Sequence, residues 1–527
     1  MFHPIQRFQE KRPEIREKSR RGAGHVIFSR GLLVALLLAV QVLLLVGLFT
    51  RWQFAAFAYG GTYALSIFMA FYLINRPMNP TTRQTWLILV LLAPVLGSLL
   101  YVFVETDIGH RLVRRRLADI ARSTRDSLPR PDDVMARLRT EDPSLHSLAV
   151  YTDSHGGFPI YDNTTVRYFP EGADMYASLL EELEKAEDFI FMEFFIINEG
   201  EVWDSVLDVL RRKAKQGVDV RLLYDGTCAI FRLPYHYPQK LAEMGIACKM
   251  FSPIRPLVST YYNNRDHRKI VVVDGRTAFT GGVNLADEYV NRIERFGHWK
   301  DTGVMLRGDA VRSFTLMFLQ MWQVTEPALE FRRYLEAPME RQPDAKGYVL
   351  PYGDSPFDNE RVGESVYLDI INRASRYVYI MTPYLIIDGE MTTALTFAAK
   401  RGVDVRIILP HIPDKKVAFA LAYTHYRELI RAGVSIYEYT PGFVHAKVFL
   451  SDDSKAVVGS INLDYRSLYL HFECAAYLKD VPAIDDIRRD MLDTLAQSQQ
   501  VTEESLARVP WTRKAMGFLL KLFAPLM

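Results

Sequence analysis

One pattern is written twice in this chain: His, then Lys two positions on, then Asp five further, as DHRKIVVVDG at 266–275 and VHAKVFLSDD at 444–453. Side chains alternate along a strand, so His267 and Lys269 share one face, and His445 and Lys447 do likewise. The surroundings repeat as well. FIFMEFFII at 189–197 reads as a buried strand, followed by a helical stretch from Val202 to Lys215 and a second strand, GVDVRLLYD, at 217–225. YVYIMTPYLII at 377–387, a helical stretch to Lys400 and GVDVRIILP at 402–410 follow in the same order, and MGIACKMFSP at 244 is echoed by AGVSIYEYTP at 432. Similar order with slightly different loop lengths marks a duplicated unit. Short apolar strands alternating with helices predict α/β lobes with sheets covered on both faces. Two such lobes folded face to face can bring both His-x-Lys faces to one pocket.

The repeated residue types suit chemistry at phosphorus. A neutral imidazole nitrogen is a competent nucleophile and a protonated one can donate to a leaving oxygen, so one of each makes a catalytic pair. Lys269 and Lys447 supply positive charge for nonbridging phosphate oxygens, and Asn284 and Asn462, each 17 residues after its His, add amide donors. Gly282 and Ser460 lie in the small-residue stretches that let backbone approach a phosphate. Asp301 in HWKDTGVML and Glu473 in HFECAAYL stand in matching places and are expected to orient the imidazoles. The candidate catalytic set is His267, Lys269, Asp274, His445, Lys447 and Asp452, within which the two aspartates read as strand-end braces rather than proton carriers. His236, His411 and His425 have no repeated partner and are left unassigned.

The first hundred residues differ from the rest. Apolar stretches run from Gly31 to Phe49, Phe54 to Ile74 and Trp86 to Val104, each near the ~20 residues that cross a bilayer as a helix. Hydrophobicity resumes at once after the first, which favours membrane segments over a cleaved leader. Basic residues crowd both flanks, Arg7 to Arg30 and Arg111 to Arg125. If both flanks stay inside, the crossings are even in number, and either Pro94 and Gly97 in the third stretch or the short connection Arg51 to Gln53 marks a segment that dips or lies flat. Two or three spans are expected, with the body cytoplasmic and the side of Met1 open. The arginines at 111–125 suit either an anionic headgroup layer or simple topological flanking. The tail PWTRKAMGFLLKLFAPLM suits an amphipathic helix lying in the membrane interface or packing on a lobe.

The resulting division is a basic arm and transmembrane helices at 1–105, a basic linker at 106–145, lobes at 146–335 and 336–500, and an amphipathic tail at 501–527. A formal charge of +2 does not mark a nucleic-acid binder, and three cysteines without CxxC spacing argue against a disulfide scaffold or a zinc site. Neither a metal nor another cofactor is expected, no nucleic-acid partner is indicated, and the sequence leaves the oligomeric state unknown.

These paired HxKxxxxD units resemble the phospholipase D superfamily, and most closely its bacterial cardiolipin synthases. The likeness runs over roughly residues 54–527 through Trp86–Tyr101, MEFFII, NNRDHRKIVVVDG, GGVNLADEY, GHWKDT, MTPYLI, GFVHAKVFLSDD and GSINLDYRSL. The stretch Gly31 to Phe49 departs from it as an extra hydrophobic segment. The resemblance implies two phospholipase D-like lobes behind a transmembrane region in a bacterial inner membrane, acting on phosphatidylglycerol. One His attacks phosphorus, the other protonates the departing glycerol, and a second phosphatidylglycerol takes the phosphatidyl group from histidine to give cardiolipin. Superfamily habit makes His267 the nucleophile and His445 the acid/base, with the reverse open. A phospholipase D-type hydrolase, a tethered nuclease and a noncatalytic scaffold are the alternatives; complete motifs in both halves weigh against the last, and no basic-aromatic run of the kind a strand groove needs supports the nuclease.

Overall fold

The computed structural model describes residues 39, 52–105, 108–253, 264–326, 331–336 and 339–526. Gly31 to Phe49, apart from Ala39, lies outside the described residues.

The duplication is visible strand by strand. The first lobe holds a seven-stranded sheet in the spatial order Thr164–Phe169, Gly303–Gly308, Thr277–Gly281, Lys269–Val273, Phe189–Phe194, Asp219–Asp225, Ala247–Phe251. The second repeats that order as Tyr348–Asp354, His471–Lys479, Lys455–Gly459, Val448–Ser451, Tyr377–Met381, Asp404–Pro410 and Ser435–Tyr439, with Ser498–Gln500 added at the edge. In each sheet three strands are parallel and linked by crossover helices, Glu201–Lys215 in one lobe and Gly389–Lys400 in the other. The hairpins carrying the His-x-Lys units join these antiparallel, through Lys269–Val273 and Val448–Ser451.

The expected strand at 189–197 ends at Phe194, and that at 377–387 breaks after Met381, with Leu385–Ile386 leaving to pair with Leu463–Asp464. Pro383 explains the second break, since it has no N–H for the ladder.

The lobes share one apolar core. Ile270, Val272, Ala278 and Val304 from the first sheet cluster with Val448, Leu450, Val458 and Cys474 from the second, and the helix Val311–Trp322 is buried between them. Near-complete burial of these faces, at ~25 cal/mol per Å² of apolar surface, opposes separation of the lobes.

At the N-terminal side the stretch Trp86 to Val104 is no single helix. It belongs to a helical hairpin, Pro80–Leu92 and Pro94–Glu105, broken at Ala93. Gly97 lets the arms touch: a Cβ there would stand 2.6 Å from the Leu89 carbonyl oxygen. Beside the hairpin runs the helix Trp52–Asn75, and Met69, Leu73, Trp86, Val90 and Tyr101 form their common core. Asn79 caps the first arm and donates from Nδ2 to Asp388 at 3.1 Å, tying the hairpin to the second lobe. Among the described residues no helix is long and apolar enough to cross a membrane. The segment expected as a linker is largely helical: Ile108–Thr124 buries Leu117 and Ile120 against the body, and Arg116 donates to the Glu326 carbonyl at 2.7 Å.

Candidate active site

Each His-x-Lys unit is completed by the opposite lobe. Just before His267, Arg265–Asp266 pairs with the start of His471–Lys479, and the His267 amide donates to the Phe472 carbonyl at 2.9 Å. Just before His445, Gly442–Val444 pairs with His298–Lys300, and the His445 amide donates to the Lys300 carbonyl at 2.7 Å. These exchanged pairings place each imidazole on the other lobe's carboxylate. His267 Nδ1 lies 2.8 and 3.0 Å from the Glu473 oxygens, and His445 Nδ1 lies 2.7 Å from Asp301 Oδ2. Asp301, ionised and accepting only, requires the proton of His445 on Nδ1, which leaves its Nε2 with a lone pair for chemistry.

The lysines close the two sets into one site. Lys269 and Lys447 are buried, and each ammonium group donates to the backbone carbonyl of its own motif histidine. Lys447 Nζ also lies 2.9 Å from His445 Nδ1. Burial lowers Lys269 to about 8 and Lys447 to about 7, with the carboxylates resisting. Burial, Lys269, His471, Lys447 and His445 together push His267 well below its ordinary value, while burial and Lys447 lower His445 to about 4 against the pull of Asp301. The pocket therefore sets two lysines beside rings that resist protonation, an arrangement that an anion would stabilise.

The two couples differ. Burial raises Asp301 but His445 and Lys447 outweigh it, so that carboxylate stays ionised below its usual range. Burial lifts Glu473 well above the carboxylate range, with Lys269 and a hydrogen bond from Ser460 opposing. The second couple thus tends to hold one more proton than the first.

Other expected residues take different places. Gly282 lies directly under Asp301, and a Cβ on it would come within 2.0 Å of Oδ1. At the matching position Ser460 donates its hydroxyl to Glu473. Both therefore bear on the orienting carboxylates. Asn284 Oδ1 accepts from the Ile196 amide at 2.9 Å and its Nδ2 makes no hydrogen bond among the described residues, as a substrate-facing donor requires. Asn462 gives one N–H to Asp464 at 3.1 Å.

Asp274 and Asp452 stand at the far ends of their strands, about 20 Å of extended chain from the histidines, and do not join the reacting groups. Asp274 accepts from the amides of Glu187, Asp188 and Phe189, each at 2.8 Å. Asp452 accepts from those of Ser375, Arg376 and Tyr377. They fix the starts of the central strands, as braces.

The family model described as "Cardiolipin synthase, PLD-like domain" matches residues 179–322 and 367–494, and one described as "Phospholipase_D-nuclease N-terminal" matches 64–104. The chain belongs to the cardiolipin synthase PLD-like domain family. A Geobacillus kaustophilus protein named cardiolipin synthase is 32% identical over 88% of this chain and 92% of its own length. Bacillus anthracis cardiolipin synthase 2 is 32% identical over 86% and 88%, and an uncharacterized Streptococcus mutans protein is 51% identical over 86% and 99%. The phosphatidylserine synthase of Haemophilus influenzae shares the fold, with a TM-score of 0.55 at 16% identity over 72% of this chain and 97% of its own.

Sequence reasoning passed over three residues of this family member's pocket. His471 and Trp299 each stand two positions before an orienting carboxylate, on the same strand face, and each flanks a motif imidazole with ring centres 5.4 Å apart. Arg466 donates from Nε to His471 Nε2 at 3.1 Å, which makes Nδ1 the protonated nitrogen. The alternation that linked His267 to Lys269 would have found His471 and Trp299; nothing local signals Arg466. His267, His471 and Glu473 offer atoms within 4.8 Å of one another, as Glu364, Asp388 and Glu390 do outside the pocket. Lys269 and Arg466 stand against the first trio, so a divalent cation meets a repulsive field.

Proposed function

We propose that this chain is a phosphatidyltransferase that makes cardiolipin from two molecules of phosphatidylglycerol and releases glycerol. The observation that carries the reading is the pair of crossed imidazole–carboxylate couples flanked by two buried lysines. A phosphodiester between the rings meets a nucleophile on one side, a proton donor on the other and positive charge on its nonbridging oxygens. His267 Nε2 forms the bond to phosphorus as the bond to the glycerol oxygen breaks, and His445 supplies that oxygen's proton. The entering phosphate's negative charge favours protonated His445, offsetting the lowering by burial and Lys447. His445 then takes the proton from the headgroup hydroxyl of a second phosphatidylglycerol as that oxygen displaces histidine. One phosphodiester replaces another, so no nucleotide is consumed.

A second reading exchanges the histidines. Ionised Asp301 supports His445 as the attacking base, with His267 then serving as the acid. Denaturing the chain during turnover with labelled phosphatidylglycerol and mapping the label separates the two, since it resides on the peptide carrying either His267 or His445.

The reaction class has its own test. Purified full-length chain in vesicles of labelled phosphatidylglycerol, with chelator present, is expected to release glycerol and form cardiolipin. Phosphatidic acid as sole product would instead assign a hydrolase. The apolar N-terminal stretches and their basic flanks support a multi-pass protein of a bacterial inner membrane with its lobes in the cytoplasm.

A further inference from the structure

The tail forms the helix Trp511–Lys521 and a short turn, Ala524–Leu526. One side of it packs on the helix Lys416–Arg431, where Gly517 is pressed so close that a Cβ would lie 2.5 Å from the Ala420 carbonyl oxygen. That contact fixes which side faces outward. The outward side is apolar: Trp511 and Phe518 are each 77% exposed, Leu519 66% and Phe523 41%. Trp511 and Phe518 are two helical turns apart on one face, and Lys514 and Lys521 repeat that spacing on its flank.

This face continues into the N-terminal hairpin. Thr85 donates to the Leu522 carbonyl at 2.9 Å, and Leu526 packs on the cluster of Trp86, Val90 and Tyr101. Leu91 and Leu92 are exposed there, and Phe68 and Phe71 on the helix Trp52–Asn75 beside it. Most large exposed hydrophobics of the described residues belong to the tail, the hairpin and that helix, and a patch on this scale marks an interaction surface.

We infer that the tail helix docks on an anionic lipid bilayer, with Trp511, Phe518, Leu519 and Phe523 inserted at the headgroup boundary and Lys514 and Lys521 toward lipid phosphates. The lysine flank favours a bilayer of anionic lipid over a second copy of the chain, and the amphipathic pattern suits an in-plane helix. Docking holds Lys416–Arg431 against the membrane while the second lobe's strands lie behind it. The inference rests on the reading of the substrate as a membrane lipid, but its test reads docking apart from chemistry.

Full-length chain carrying Phe518→Cys or, separately, Glu504→Cys is labelled with an environment-sensitive fluorophore and reconstituted in vesicles of phosphatidylglycerol and phosphatidylcholine. Lipids bearing a nitroxide on the acyl chain should quench the label at 518 strongly and that at 504 weakly. Equal quenching, or cross-linking of 518 between two copies without quenching, overturns the inference. The double variant Phe518→Ser, Leu519→Ser should raise the apparent KM for vesicle phosphatidylglycerol by about tenfold and leave turnover of a monomeric short-chain analogue unchanged. No change on vesicles, or equal loss on both substrates, also overturns it; quenching at 518 in a chain without transferase activity would instead refute only the proposed reaction.

Discussion

Asp301→Asn keeps the shape of the side chain and removes its charge from His445, a residue of the other lobe 2.7 Å away. A hydrogen bond to a charged partner contributes about 1.5–3 kcal/mol. Attraction between unit charges ~4 Å apart, at an effective dielectric of ~20, is about 4 kcal/mol. Imidazolium forms at His445 only as the proton is handled, so the loss falls on the chemical step and predicts kcat lower by about 10- to 1,000-fold with KM little changed. The assay is conversion of labelled phosphatidylglycerol to cardiolipin, alongside thermal unfolding to verify the fold. A phosphatidyl ester of p-nitrophenol sharpens it, because that leaving group needs no proton. The variant should release one equivalent of nitrophenolate per site at near wild-type rate and then slow at transfer, where His445 must act as base. A folded variant within about threefold of wild type on the natural substrate would refute the role of the crossed carboxylate. Loss of the nitrophenolate burst would move the nucleophile to His445.

Gly282→Ala should cost activity comparably, because the added methyl displaces the Asp301 carboxylate, while Ser460→Ala at the matching place should be milder; crystallography or kcat ratios check the ordering. In the free enzyme Lys447 and Lys269 lose charge as pH rises through about 7 and about 8, so kcat/KM should fall over that range. Bound phosphate raises both lysines, so the alkaline fall of kcat should lie at higher pH, and coincident profiles would contradict the lysines' role. Asp452→Ala removes a cap from three backbone amides and should lower stability by about 1–3 kcal/mol in denaturant unfolding with kcat retained below the transition. Arg268→Ala leaves Glu193 and Asp266 buried together without their guanidinium and should destabilise the chain by about 3–5 kcal/mol.

The duplication, the order of strands and the identity of the imidazole–lysine pairs were legible because strand alternation and repeated spacing are local. Asp301 and Glu473 were legible as the orienting carboxylates from their matching places in the repeat, but their assignment to one ring or the other was not. Which carboxylate serves which ring depends on Arg265–Asp266 and Gly442–Val444 crossing to the opposite sheet, and strands of two or three residues leave no periodic trace. Likewise 19 apolar residues from Trp86 to Val104 read as one span until Gly97 is seen against Leu89. The buried trio Glu193, Asp266 and Arg268 has no counterpart in the second lobe, where Met381, Val444 and Ala446 stand, so the repeat itself hid it.

The exchange of carboxylates also bears on biosynthesis. Glu473 follows His267 by 206 residues and His445 follows Asp301 by 144, so neither couple exists until the second lobe has been made. A chain interrupted between the lobes thus carries half of each couple and is expected to be inactive until the second lobe folds against the first.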